Sequence, residues 1–288
     1  MLIALASLKG SPGVTTFTVA LAAQWPIHDR RLVVECDPAG GDLAMRFGLG
    51  ASPGLASLTA AARQSADPAV VWEHAQTVAG GISVVGAPVA EVQARAALHA
   101  LTVPLLDHAA QQPGVVVFAD CGRLDTGSPA EAIVRQADVL VLVSGTQGDN
   151  LAHTAARVHD LARWTPRPAL LLAGRGYPTS TMERELGIPT VGRIPYDPAA
   201  AVTLPSRTTP TRRRRGGGLA RCAAAVARAL ARPGPRWEPV QQPSSPPAPR
   251  SVPVAGSEFA SQQGPQPPEP GPPAAPALQG HNHRSPST

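Results

Sequence analysis

The sequence predicts an α/β fold: a doubly wound, mostly parallel sheet flanked by helices, followed by a disordered Pro-rich C-terminal tail. Three observations carry this expectation. Short apolar runs of strand length recur up to Arg232, with longer helical patterns between them. The runs are rich in Val, Leu and Ile and do not alternate with polar residues, as expected of strands covered on both faces. Beyond Arg232 the chain turns to Pro, Gln, Ser, Ala and Gly with almost no apolar periodicity.

In order, residues 2–6, 32–36, 82–85, 115–119, 139–143, 169–173 and 190–194 read as strands. Residues 17–24, 55–63, 89–111, 130–136 and 151–163 read as helices between them, and 219–232 as a last, Ala-rich helix. Strands alternating with helices are the signature of a doubly wound sheet. A hydrophobic content of 43% suffices for one sizeable core, and an aromatic content of 3% means that Ala, Val and Leu must build it. The expected organisation is one folded domain, residues 1–232, and a tail, residues 233–288. The tail cannot bury enough apolar surface to offset the entropy of ordering it. Its PSSPPAPR and QGPQPPEPGPP stretches are either plain solvated chain or polyproline segments for an aromatic groove.

Other features bound the function. Cys36, Cys121 and Cys222 lie far apart without metal-ligand spacing, and read as reduced thiols in or near the core. The apolar run at the N-terminus is too short, and lacks the basic flank, for a secretory signal. No run is long enough to cross a membrane. The expected location is the cytoplasm, with peripheral contact to membrane or nucleoid left open. The net charge of +5 permits an anionic partner without requiring one.

Of the 25 Lys plus Arg residues a single one is lysine, Lys9, in the stretch SLKGSPGVTT. This segment joins an expected strand to an expected helix. Backbone N–H groups at such a junction point into one concavity, and the helix dipole adds positive potential. Gly10 and Gly13 permit close approach of a ligand, and Pro12 stiffens the turn. Thr15 can offer a hydroxyl to Mg2+, and Thr16 one to a phosphate oxygen. Val14 stands where a phosphate loop normally carries its lysine. After the second expected strand comes ECDPAGGDL, in which Asp37 could bond a metal-bound or attacking water and Glu35 lies nearer the strand; both also read as plain strand-end acids. VVVFADCG places Asp120 just past another strand, where an acid can hold Mg2+ through water.

Together these segments resemble the MinD/ParA family of deviant-Walker P-loop ATPases. Its loop reads K-G-G-x-G-K-[ST]-[ST], against Lys9, Gly10, Ser11, Pro12, Gly13, Val14, Thr15 and Thr16 here. The resemblance implies a site for ATP or ADP with Mg2+. It implies that Lys9 reaches across a nucleotide-sandwich homodimer to the partner's phosphates. It makes Asp37 the switch aspartate of a D-x-D-P-x-G pattern, with Glu35 in place of the first Asp, and Asp120 the Walker-B aspartate. ADVLVLVSGTQGDNLAHT resembles the family's fifth strand and following loop, and VGRIPYDPAA places Pro195 beside the base. The resemblance covers residues 1–232.

Two departures stand out. Val14 removes a charge from the phosphate site, expected to cost about a few kcal/mol of binding and more of the transition state. In ALLLAGRGY, Gly174 or Arg175 stands where many relatives place a base-reading Asn; Arg175 or Tyr177 is a candidate to stack on a base. Degenerate loops also occur in the CpaE/TadZ-like branch, which positions pilus and secretion machines. The expected function is therefore a nucleotide-binding switch with weak or lost hydrolysis that organises such an assembly. An active ATPase partitioning DNA or protein cargo, and a nucleotide-free scaffold, are the alternatives. Expected partners are a second copy and a protein partner or assembly machine. Arg212, Arg213, Arg214 and Arg215 form a run that fits a solvated loop, non-specific DNA, or an anionic membrane or acidic protein surface. In the last helix Leu219, Val226 and Leu230 form one narrow stripe, suited to packing on the domain.

Overall fold

The computed structural model of the chain describes residues 1–10, 12–26, 29–101, 103–198 and 217–234. The expected tail beyond Gly234, Ser11 and Arg212 to Arg215 lie outside the described residues.

The elements run β1 (Leu2–Ser7), α1 (Val14–Ala23), β2 (Arg30–Glu35), α2 (Leu43–Phe47), α3 (Leu55–Ala62), α4 (Val70–Glu73) and β3 (Gln76–Val78). They continue β4 (Ile82–Val85), α5 (Glu91–Ala100), α6 (Val103–Gln111), β5 (Val115–Arg123), α7 (Glu131–Gln136), β6 (Val139–Gly145) and α8 (Gly148–Ala162). β7 (Arg167–Ala173), α9 (Thr179–Leu186), β8 (Thr190–Ile194) and α10 (Gly218–Ala231) complete the described chain. The eight strands form one sheet in the order β3-β4-β2-β5-β1-β6-β7-β8. Every pair is parallel except the edge pair β3 and β4.

All seven expected strands are present. Their continuous apolar character follows from burial on both faces: every residue of β1 is buried, and its side chains divide between two apolar layers. Leu2, Ala4 and Ala6 pack with α5, α6, α8 and α9 on one side. Ile3 and Leu5 pack with Phe17 and Leu21 of α1 and Leu219, Val226 and Leu230 of α10 on the other. The narrow apolar stripe of α10 is thus spent on the domain, as its composition suggested. Cys36 and Cys121 are buried and Cys222 half-buried, all three free. No described helix is long and apolar enough to cross a membrane.

Residues 89–111, expected as one helix, form two. α5 ends at Ala100, and Leu101 takes an extended conformation. Pro104 explains the break: in a continuous helix its ring would clash with the carbonyl of residue 100, and it has no N–H to bond there. Placed in the first turn of α6, it costs nothing.

The order of the sheet decides where a site can form. β1 lies between β5 and β6, so the chain leaving its C-terminal end stands at the point where the winding reverses direction. Ligands of such sheets bind in the crevice at that point.

Candidate functional site

β1 delivers the chain into the loop that precedes α1. Gly13 adopts a left-handed conformation, φ 92° and ψ 35°, which turns the chain into the helix. The first intrahelical bond runs from the Phe17 N–H to the Gly13 carbonyl at 2.9 Å. No side chain caps this helix and no acid lies in its first turn. Its leading N–H groups therefore have no partner within the helix. A Cβ built on Gly13 meets nothing within 4 Å, so the space before the loop is open. Such an end accepts an anion.

Two threonines of the first turn reach in different directions. The Thr15 side chain lies near enough to the carboxyl of Asp120 to favour its charged form. Thr16 lines a cavity of about 210 Å³ between the loop and the ends of β7 and β8. Gly174, Pro195, Tyr196 and Leu219 close that cavity on the far side. The structure thus places Pro195 in one cavity with Pro12, Gly13 and Thr16 of the loop.

Asp120 is fully buried at the centre of the sheet, facing Leu5 in β1 and Glu35 in β2. One carboxylate oxygen accepts the Gly122 N–H at 3.3 Å. The other, Oδ2, is buried without a partner among the described residues. Desolvation pushes the carboxyl up to about 7, opposed by Thr15 and reinforced by the nearby charges of Glu35 and Asp37. An orphaned carboxylate oxygen near a threonine side chain suits a hard cation such as Mg2+, which takes oxygen donors and keeps waters. Among the described residues no three His, Cys, Asp or Glu side chains could hold a metal by themselves. A cation here would therefore complete its shell with water and with oxygens of a bound phosphate.

Asp37 lies directly over Gly122: a Cβ at Gly122 would stand 1.9 Å from Asp37 Oδ2. Its Oδ1 accepts the Ala39 N–H at 2.8 Å. Partial burial raises its pKa, and that N–H opposes the shift. Glu35 behaves differently. Its Oε1 accepts the N–H groups of Asp42 at 2.6 Å and Leu43 at 3.0 Å, and its Oε2 that of Ala87 at 2.9 Å. It ties the segments after β2 and β4 together.

Val14 is 5% exposed and packs in the apolar layer with Ile3, Leu5 and Phe17. Position 14 therefore offers nothing to the open side of the loop. Lys9 is exposed and lines a second cavity of about 320 Å³ with Gly10, Gly145, Asn150 and Arg175. The two cavities share Pro12, Ala173 and Gly174. Arg175 thus sits on the Lys9 side and Tyr177 lines neither cavity; the aromatic residues at the first cavity are Phe17, which is buried, and Tyr196, 88% exposed. Neither Tyr196 nor Arg46 is marked out in the sequence; Arg46 lies on α2, and its Nη1 donates to Thr16 Oγ1 at 3.0 Å. A basic residue in a short segment between two glycines was the only signal available.

No family model and no curated protein matches the sequence. Solved structures do. A ParA family ATPase from Chlorobium tepidum superposes with a TM-score of 0.64 at 17% identity, over 80% of this chain and 98% of that one. MinD from Pyrococcus horikoshii, complexed with Mg-ADP, gives 0.64 at 17% identity over 80% and 95%. McdA from Cyanothece in complex with ATP gives 0.59 at 13% identity over 83% and 98%. The sheet order, the loop after the central strand and these superpositions agree: the chain has the fold of the MinD/ParA P-loop ATPases.

Proposed function

We propose that the chain is a MinD/ParA-like nucleotide switch that binds ATP or ADP with Mg2+ at Lys9 to Thr16 and hydrolyses it weakly or not at all. Two copies pair when nucleotide is bound, and the pair positions a pilus, secretion or cell-division assembly. The observation that carries the reading is the buried Oδ2 of Asp120, without a partner among the described residues, near Thr15 at the start of an uncapped helix. A buried polar atom left unpaired costs about 1–3 kcal/mol. A ligand that supplies the missing partner accounts for its place here.

In this reading the loop backbone and Thr16 bind phosphate oxygens, and the cavity walled by Pro195 and Tyr196 takes the base. Thr15 and Asp120 hold Mg2+, which neutralises phosphate charge when bound. Asp37, one step from Asp120, orients a water. Burial of Val14 leaves the charge of the phosphate-loop lysine missing, so turnover suffers more than binding. Exposure of Lys9, which lines the adjoining cavity, leaves it free to serve a second copy. The similarity to MinD, which has been seen complexed with MinC in Aquifex aeolicus, supports a protein partner for the pair.

Titration calorimetry with Mg·ATP and Mg·ADP, beside a phosphate-release assay, tests the proposal. Binding in the micromolar range with little turnover supports it. No binding at millimolar nucleotide overturns it, and rapid turnover overturns its claim of weak hydrolysis.

A further inference from the structure

We propose that Arg46 is a phosphate-binding residue: from α2 it supplies, within the same chain, positive charge that position 14 no longer provides. The inference rests on the loop being a nucleotide site, and its test separates the two.

The placement of Arg46 is built by its neighbours. Glu35 receives the N–H groups of Asp42 and Leu43, which fixes the start of α2. Leu43 is fully buried, anchoring the same turn. One turn later Arg46 comes off the helix beside α1, and its Nη1 reaches Thr16 Oγ1 at 3.0 Å. Thr16 belongs to the first turn of α1 and lines the cavity that Gly13 opens into. The guanidinium therefore stands beside the first turn of α1, on the hydroxyl of a residue that borders the loop.

It is also under-used there. Its ion pair is with Asp42 at 3.8 Å, and the two side chains are 43% and 69% exposed. A pair that long and that wet contributes little. A guanidinium carries five donors in a planar fork shaped for phosphate or carboxylate oxygens. One donor is committed to Thr16, so others remain for a ligand that Thr16 also touches. Val14, buried in the apolar layer, competes for none of this space. The loop thus keeps a cation for its own nucleotide in addition to Lys9, which faces the other cavity.

The experiment is calorimetry of the full chain and of Arg46→Ala and Arg46→Lys with Mg·ATP and Mg·ADP, with adenosine measured by competition and melting curves of the nucleotide-free proteins. Arg46→Ala should weaken ATP and ADP at least about tenfold, the loss of one charge-assisted bond. Arg46→Lys should recover part of that loss. Adenosine affinity and the melting temperature should stay near those of the parent. Unchanged ATP affinity in Arg46→Ala, with the parent binding well, overturns the role of Arg46 alone. Equal losses of ATP and adenosine with a large fall in melting temperature overturn it too, since they mark a mere anchor for α2. A parent that binds no nucleotide brings down both this inference and the reading of the site.

Discussion

Glu35 and Asp120 stand opposite each other in register on adjacent parallel strands, and only one of them is fully partnered. Glu35 accepts three backbone N–H groups. Asp120 keeps an oxygen with no partner among the described residues. Both carboxyls are pushed up by burial. The difference in partners separates a group that holds loops together from one with an oxygen left over, the one the proposed Mg2+ site uses, a distinction that residue type and strand position do not make.

Asp120 should therefore destabilise the metal-free protein near neutral pH. Its carboxyl titrates near about 7 in the fold, against an ordinary value of 3.8. Between those values the native state holds a proton that the unfolded chain has released. Its contribution to stability is fully present below the lower value and is lost as pH rises through about 7. The loss is on the order of a few kcal/mol. With chelator present, Asp120→Asn should melt above the parent at pH 8 and level with it at pH 4. Glu35 and Asp37 titrate in both proteins, so the difference between the two curves reports Asp120 together with its coupling to these two acids. Adding Mg·nucleotide at pH 8 should raise the parent alone. An Asn variant that melts below the parent in chelator at pH 8 would refute the argument.

Gly122 is the seat of Asp37. Its φ is 54°, and a Cβ there would overlap the Asp37 carboxylate. Gly122→Ala should push Asp37 out of place while costing only about 1 kcal/mol of backbone strain. Residual turnover and nucleotide-dependent pairing should fall several-fold, and the melting temperature by no more than a few degrees. Activity equal to the parent's would show that the position of Asp37 does not matter.

Much of this was legible in the sequence because it is local. Apolar runs without alternation gave the strands, and the loop Lys9 to Thr16 with Asp37 and Asp120 gave the acids that surround it. What escaped depends on contacts between distant segments. β3 is three residues long and pairs antiparallel at the edge, too short to show a period. α2 has five residues and is held mainly through Glu35, whose role appears only once β4 is beside it. The bond between Arg46 and Thr16 spans thirty positions. Position 14 could be read as lacking a charge, but not as pointing into the core.

Lys9 should matter to the pair and little to the single chain. It lines the adjoining cavity and not the one that holds Thr16 and Pro195. Lys9→Ala should abolish ATP-dependent dimerisation in sedimentation velocity at micromolar protein. ATP affinity at concentrations too dilute for pairing should change less than about threefold, within what a screened surface charge contributes. A dimer that survives the substitution would remove Lys9 from the interface, and a lost monomer affinity would place it on its own nucleotide.

Val14→Lys is the sharpest probe of the loop. The valine side chain is buried, so its removal forfeits roughly 1.5–3 kcal/mol of apolar burial. A lysine there cannot leave its ammonium in the apolar layer. Its stem can follow the helix start and carry the charge into the open space before Gly13. The nucleotide-free variant should melt several degrees lower. ATP affinity should rise about tenfold or more, and phosphate release should rise with it. The gain should also shrink the effect of losing Arg46, because two cations would then share one set of phosphate oxygens. In the double variant, Arg46→Ala should cost clearly less ATP affinity than it does in the parent, a coupling that a double-mutant cycle measures directly. Strict additivity would mean that the two positions address different parts of the ligand, and unchanged affinity in Val14→Lys alone would mean that the lysine cannot escape the core.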